Sequence, residues 1–178
     1  MLAIFQAYID IALLRRGPQT LPPSPALLLL TLLALALVAS FPLPGDRFSV
    51  AQIVTFFSID VLMLCSVIWL LLTAKGYVGR FVQTMTAVFG AELVILIIKV
   101  GVALVLGDAV VPPQPGEPVE TPHMITFALE AWSLVVLSAI LREALAIGVL
   151  QSVGIILMEM ILFLGAASLV LPYMATNS

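Results

Sequence analysis

Charge is what this sequence has least of. Seven of its 178 residues are Lys or Arg and ten are Asp or Glu, 10% in all, against roughly a quarter in ordinary soluble domains. The basic residues are scattered and the formal net charge is only −3, which excludes a nucleic-acid partner, since that needs a clustered basic face. The one cysteine, Cys65, excludes an intrachain disulfide, and its place inside an apolar run reads as a small hydrophobe. The chain also lacks Gly-x-Ser-x-Gly, His-Glu-x-x-His, a Walker loop and any Cys pair. No nucleophile stands beside a base, so no enzymatic activity is expected, and neither catalytic residues, metal ligands nor a cofactor. The single histidine, His123 in "ETPHM", reads as interfacial. Met158 and Met160 are two apart on a helix and point in different directions, which favours core packing over a soft-metal site.

What the chain has in abundance is apolar length: 62% of residues are hydrophobic and the mean hydropathy is +1.23. Apolar stretches reach the roughly 18 to 20 residues that a bilayer's hydrocarbon core demands of a helix. Five spans are predicted, at 25–43, 50–73, 81–106, 123–141 and 145–171, separated by connectors rich in turn residues: "FPLPGDRF", "AKGYVGR", "GDAVVPPQPGEPVETPH" and "LREAL". The last boundary rests on Arg142 and Glu143, because 124–171 is otherwise almost continuously apolar.

The first residues, "MLAIFQAYIDIALL", do not follow the pattern of a cleaved signal peptide. Ile4, Phe5, Tyr8, Ile11 and Ala12 recur at helical spacing, which predicts a short amphipathic helix lying on the membrane. Arg15 and Arg16 then anchor at headgroup level, Gly17 and Pro18 end that helix, and Pro22, Pro23 and Pro25 lead the chain into the first span. With the N-terminus inside, Arg15, Arg16, Lys75, Arg80 and Arg142 fall on the cytoplasmic side and only Arg47 outside, so the positive-inside rule sets that orientation. The acidic loop 107–123, with Asp108, Glu117 and Glu120, and the C-terminal tail then face outward. The expected fold is an all-α polytopic membrane protein. In it, 1–24 is an amphipathic cytoplasmic or interfacial segment, 25–172 a five-span bundle and 173–178 an external tail.

Five ionisable side chains fall within spans: Asp60, Glu92, Lys99, Glu130 and Glu159. In the third span each Val, Leu, Ile or Phe contributes about −0.3 to −0.6 kcal/mol to insertion, whereas Glu92 and Lys99 each cost about 2.5 to 3.5. Such groups need partners. At about 1.5 Å per residue, Lys99 and Glu130 both lie roughly 10 Å below the outer surface on consecutive antiparallel spans, and are expected to pair. Glu92, seven residues before Lys99, shares its helical face near the midplane, with Asp60 and Glu159 at intermediate depth. One lysine faces four carboxylates. Two readings follow: polar glue that fixes helix order, or a path for protons or cations.

Gly90 and Gly101, like Gly154 and Gly165, are eleven apart, which predicts stripes where a neighbouring backbone can approach. Trp69, Tyr77 and Tyr173 read as interfacial anchors. The short N-terminal segment "LLRRGPQTLPPSP" before five spans and an outside C-terminus resembles small bacterial members of the Yip-domain family. The resemblance implies a non-enzymatic integral membrane protein that organises membrane or partner proteins. Eukaryotic relatives carry Asp-Leu-Tyr-Gly-Pro before the first span and are linked to small GTPases. Here only Gly17-Pro18 matches, preceded by Arg15-Arg16, which speaks against GTPase binding. The function expected is a scaffold, assembly factor or subunit of a larger complex in a bacterial cytoplasmic membrane, partnered by the bilayer and by other membrane proteins or a second copy. The alternative is a small proton- or cation-coupled transporter or channel subunit using the intramembrane carboxylates.

Overall fold

The structure is a computed structural model that describes residues 2–41, 49–106 and 121–176. All regular structure in those residues is helical: α1 (Leu2–Ala12), α2 (Pro25–Ala39), α3 (Val50–Ala74), α4 (Phe81–Leu106), α5 (Thr121–Leu145) and α6 (Val149–Thr176), with short 3₁₀ turns at Pro18–Thr20 and Val78–Arg80. Among the described residues four helices, α3 to α6, are long and apolar enough to cross a membrane. The first predicted span, 25–43, is represented by α2, whose 15 residues reach about 22 Å at 1.5 Å per residue, short of a core about 30 Å thick. The connector around Arg47, the loop carrying Asp108, Glu117 and Glu120, and the side chain of Tyr173 lie outside the described residues.

The helix starts follow from local chemistry. Ser24 caps α2 by accepting a hydrogen bond from the Leu27 amide, with Pro25 in the first turn where its missing N–H costs nothing. Ser49 and Gln52 form a reciprocal capping box at α3, the Ser49 amide donating to Gln52 Oε1 at 2.8 Å. Between α3 and α4 the chain turns at Gly76, whose φ of +75° needs a residue without a Cβ. Within the helices, Thr55, Ser58, Ser66, Thr73, Thr84 and Thr86 donate their hydroxyls to the carbonyl one turn back. Small polar groups are thereby satisfied without any partner helix.

The break between the last two helices differs from the one read off Arg142 and Glu143. Both residues lie in the last turn of α5, and the chain reverses at 146–148, with Ala146 left-handed at φ 52° and the Gly148 amide donating to Gln151 Oε1. A cation in the last turn is favourable to a helix C-terminus, so Arg142 extends the helix rather than ending it.

α4 is the axis of the bundle. It buries Thr84 through Ala91 in one continuous run, together with Leu93, Ile95 and Ala103. α1, α2 and α5 pack against it, while α6 packs on α5 and α3, and α2 meets α3 only sparsely. The N-terminal residues form α1, but protein covers most of the face read as membrane-facing. Tyr8, Ile11 and Ala12 are buried in the core, and Phe5 is left exposed. The Tyr8 ring lies on the Gly90 backbone, where an added Cβ would overlap it. Thr31 gives its own hydrogen to the Leu27 carbonyl, so the Tyr8 hydroxyl donates to Thr31 at 2.6 Å. Burial holds the Tyr8 phenol above its ordinary pKa, which keeps it a donor throughout the neutral range.

One end of the bundle gathers the arginines. Arg16 Nε pairs with Asp10 Oδ2 at 3.1 Å, Arg80 donates to the Ala144 carbonyl at the end of α5 and covers the Tyr77 ring, and the Gln83 amide reaches the Leu21 carbonyl. Pro18 is buried, and the Glu143 carboxylate lies where a Cβ on Gly17 would stand. The Gly17-Pro18 step is therefore a docking point for α5 rather than the end of α1, which stops at Ala12; Pro18 instead opens the 3₁₀ turn Pro18–Thr20. Of the four stripe glycines only Gly90 receives a neighbour; a Cβ on Gly101, Gly154 or Gly165 would meet nothing within 4 Å. Met158 and Met160 are likewise exposed on α6 rather than packed in the core. In a helix apolar on all sides, spacing alone does not say which side meets protein.

Candidate functional site: an acidic cavity among the helices

The five ionisable residues of the spans divide into two connected groups. On the α4–α5 side Lys99 Nζ lies 3.0 Å from Glu130 Oε1 and 3.5 Å from Glu92 Oε1. The ion pair expected between Lys99 and Glu130 is present, and the same ammonium also engages the carboxylate two turns before it. Ser133, three residues after Glu130, donates to the other oxygen of Glu92 at 2.8 Å. Glu92 is thus held from α4 by Lys99 and from α5 by Ser133, a charge-assisted arrangement that fixes its orientation.

The second group lies beyond Glu92. Asp60 from α3, Glu92 from α4 and Glu159 from α6 line one cavity of about 300 Å³, with Ser133 also in its wall. Apolar side chains, Phe57, Leu64, Phe89 and Leu96 among them, make up most of the rest. Lys99 and Glu130 do not line it. Among the described residues no arginine, lysine or histidine stands in its wall, so the cavity brings together three carboxylates, only one of which has a lysine at its back.

Glu159 is the residue the protein leaves least satisfied. It is 8% exposed, and its Oε1 atom is buried without a hydrogen-bond partner among the described residues. Buried carboxylate oxygens are ordinarily paired, since leaving one bare costs on the order of 1 to 3 kcal/mol or more. The hydroxyl in the same cavity wall, Ser133, is engaged with Glu92. An isolated negative charge here must be met by a proton or by a cation that no described residue supplies. Among the described residues no group of three His, Cys, Asp or Glu side chains lies close enough to hold a metal ion.

The remaining residues singled out in the sequence fall elsewhere. Arg15, Arg16, Gly17 and Pro18 belong to the arginine end, Cys65 is half-buried on α3, and His123 is buried near the start of α5. Sequence reasoning missed Ser133, an unremarkable hydroxyl in an apolar span, although its place three residues after Glu130 on the same helical face was a usable signal. It also missed Trp132, whose indole N–H donates to the Ala12 carbonyl at 2.9 Å and ties α1 to α5. The pairing of α3 with α6 had no sequence signal at all. No protein-family model, curated protein or solved structure matches this chain.

Proposed function

We propose that this chain is a non-enzymatic integral membrane protein that takes up protons or other cations in the acidic cavity and passes them across or along the bilayer, alone or as a subunit of a transporter. The observation that carries this reading is the bare Oε1 of Glu159, buried in the wall of a cavity shared with Asp60 and Glu92. Intramembrane carboxylates are expensive, and one kept without a partner serves a cation that comes and goes. In this reading α2 is the fifth membrane-inserted helix, the arginine end faces the cytoplasm, and the acidic loop 107–120 lies outside a bacterial cytoplasmic membrane. That orientation follows from the placement of Arg15, Arg16, Lys75, Arg80 and Arg142. The likeness to Yip-domain proteins plays no part in it.

The scaffold reading keeps one observation in its favour, the bridge of Lys99 to both Glu92 and Glu130, which is glue between α4 and α5. Reconstitution separates the two. In proteoliposomes with an imposed pH gradient, the wild-type chain is expected to dissipate the gradient faster than empty vesicles, and Glu159→Gln to return the rate to that of empty vesicles while inserting normally. Equal rates for the wild type and Glu159→Gln would leave the scaffold reading standing.

A further inference from the structure

We propose that the cavity takes an organic cation with an apolar body, a protonated or quaternary amine, and that this ligand enters sideways from the lipid between α2 and α3. The inference rests on the cation-uptake reading and adds the chemistry of what is taken up. Size is the first consideration. A water occupies about 10 to 15 Å³ of such space, and small-molecule sites begin near 300 Å³. The cavity, at about 300 Å³, is far larger than a proton relay or a single dehydrated ion requires. The wall is the second. An inorganic cation needs several oxygens converging at 2 to 2.6 Å, and among the described residues no three candidate ligands do so. Instead the carboxylates of Asp60, Glu92 and Glu159 are spread around an apolar chamber that includes Phe57 and Phe89. Aromatic and aliphatic walls with a few separated anionic groups suit a ligand that is greasy in body and positive at one point.

The way in is suggested by a neighbouring feature. A second cavity of about 420 Å³ lies between α2 and α3, lined by Leu32, Leu33, Ala36, Ile53, Val54 and Leu62 among others. It shares Ala39, Phe57 and Val61 with the acidic cavity, so these three side chains form the partition between them. The walls of this outer chamber are almost wholly apolar, and α2 and α3 touch each other only sparsely. An amphipathic cation dissolved in the lipid would meet an apolar vestibule first and the carboxylates second.

The test uses the full chain in detergent with tritiated benzyltrimethylammonium as probe, read by scintillation proximity, and its uncharged carbon isostere neopentylbenzene as competitor. Saturable binding is expected, undisturbed by the neutral isostere or by sodium or calcium chloride. Glu159→Gln and, separately, Asp60→Asn should each weaken it at least about tenfold, which is 1.4 kcal/mol. Displacement by sodium or calcium at equal concentration, absence of saturable binding, or unchanged affinity in both variants would overturn the proposal. Ala36→Trp, which fills the outer chamber without touching the acidic one, should slow association several-fold and leave the equilibrium affinity unchanged. An unchanged association rate would overturn the sideways entry. Glu159-dependent dissipation of a pH gradient without amine binding would overturn this inference and leave the cation-uptake function intact, whereas amine binding without such flux would support it and remove only protons from the cations taken up.

Discussion

The two halves of this bundle treat the charges of its long apolar helices in opposite ways. Around α4 the packing is close, and the charges are met: Lys99 lies between Glu92 and Glu130, and Ser133 holds the remaining oxygen of Glu92. Around α3 and α6 the packing is open, with only Ile68 and Leu72 buried on α3, and the carboxylates of Asp60 and Glu159 face a cavity with no cation beside them. The contrast shows that polar residues in one bilayer-sized bundle need not share a role. A charge that is paired within the chain has a structural explanation. A charge that is buried and left bare does not.

Removing the lysine breaks the first half most severely. Lys99→Met strands two carboxylates at once; Glu92 and Glu130 are 37% and 57% exposed, so the cost falls below that of a fully buried pair, to about 2 to 3 kcal/mol, and should still appear as the largest fall in thermal midpoint of any variant described. Because the ammonium touches both Glu92 and Glu130, adding Glu130→Gln alone should restore only part of the loss, and adding Glu92→Gln as well should restore most of it. Full recovery with Glu130→Gln alone would mean that the 3.5 Å contact to Glu92 contributes nothing.

Packing gives the second contrast. Gly90→Ala drives a Cβ into the Tyr8 ring, so α1 must shift, at a cost of about 1 to 3 kcal/mol. Proteolysis of 1–24 should accelerate in step with the fall in midpoint. Gly154→Ala on α6 has open space and gains about 0.5 to 1 kcal/mol of helix propensity instead. Equal effects at the two glycines would erase the distinction between a packed α4 and an open α6.

How much of this was legible beforehand depends on whether the signal is local. Ser24-Pro25, Ser49 with Gln52, and Gly76 mark where α2, α3 and α4 are set off, because caps and turns are read within four residues. The Lys99–Glu130 pair was legible because consecutive antiparallel helices place equal depths side by side. The turn at 146–148 was not, since Ala146 carries no turn signature and Arg142 suits a helix end as well as a loop. The acidic cavity was visible only as a list of depths. Which helices bring Asp60 to Glu159 depends on how α6 returns against α3, and uniformly apolar helices carry no periodicity that records it. For the same reason the face of α1 was identified but not what covers it.

Neutralising the cavity carboxylates of α3 and α6 should move stability in the direction opposite to Lys99→Met. Glu159→Gln keeps the shape of the side chain and supplies a donor to a buried site, so a gain of about 1 kcal/mol in detergent is expected, with a smaller gain for Asp60→Asn. Measured at one neutral pH by thermal midpoint, a loss comparable to that of Lys99→Met would show that Glu159 is held by a partner after all and would remove the contrast on which the functional reading stands.

The smallest effect comes from the residue that joins the two halves. Ser133 is in the wall of the acidic cavity, yet its hydroxyl donates to Glu92, which belongs to the lysine bridge. A hydrogen bond to a charged group contributes about 1.5 to 3 kcal/mol when fully buried, and this part-buried one should give about 1 kcal/mol on Ser133→Ala. If Ser133 serves the bridge, its loss should be non-additive with Lys99→Met, with a coupling of at least about 0.5 kcal/mol, and additive with Glu159→Gln, because side chains without a shared partner behave independently. Coupling to Glu159→Gln instead would assign Ser133, and Glu92 with it, to the cavity rather than to the bridge.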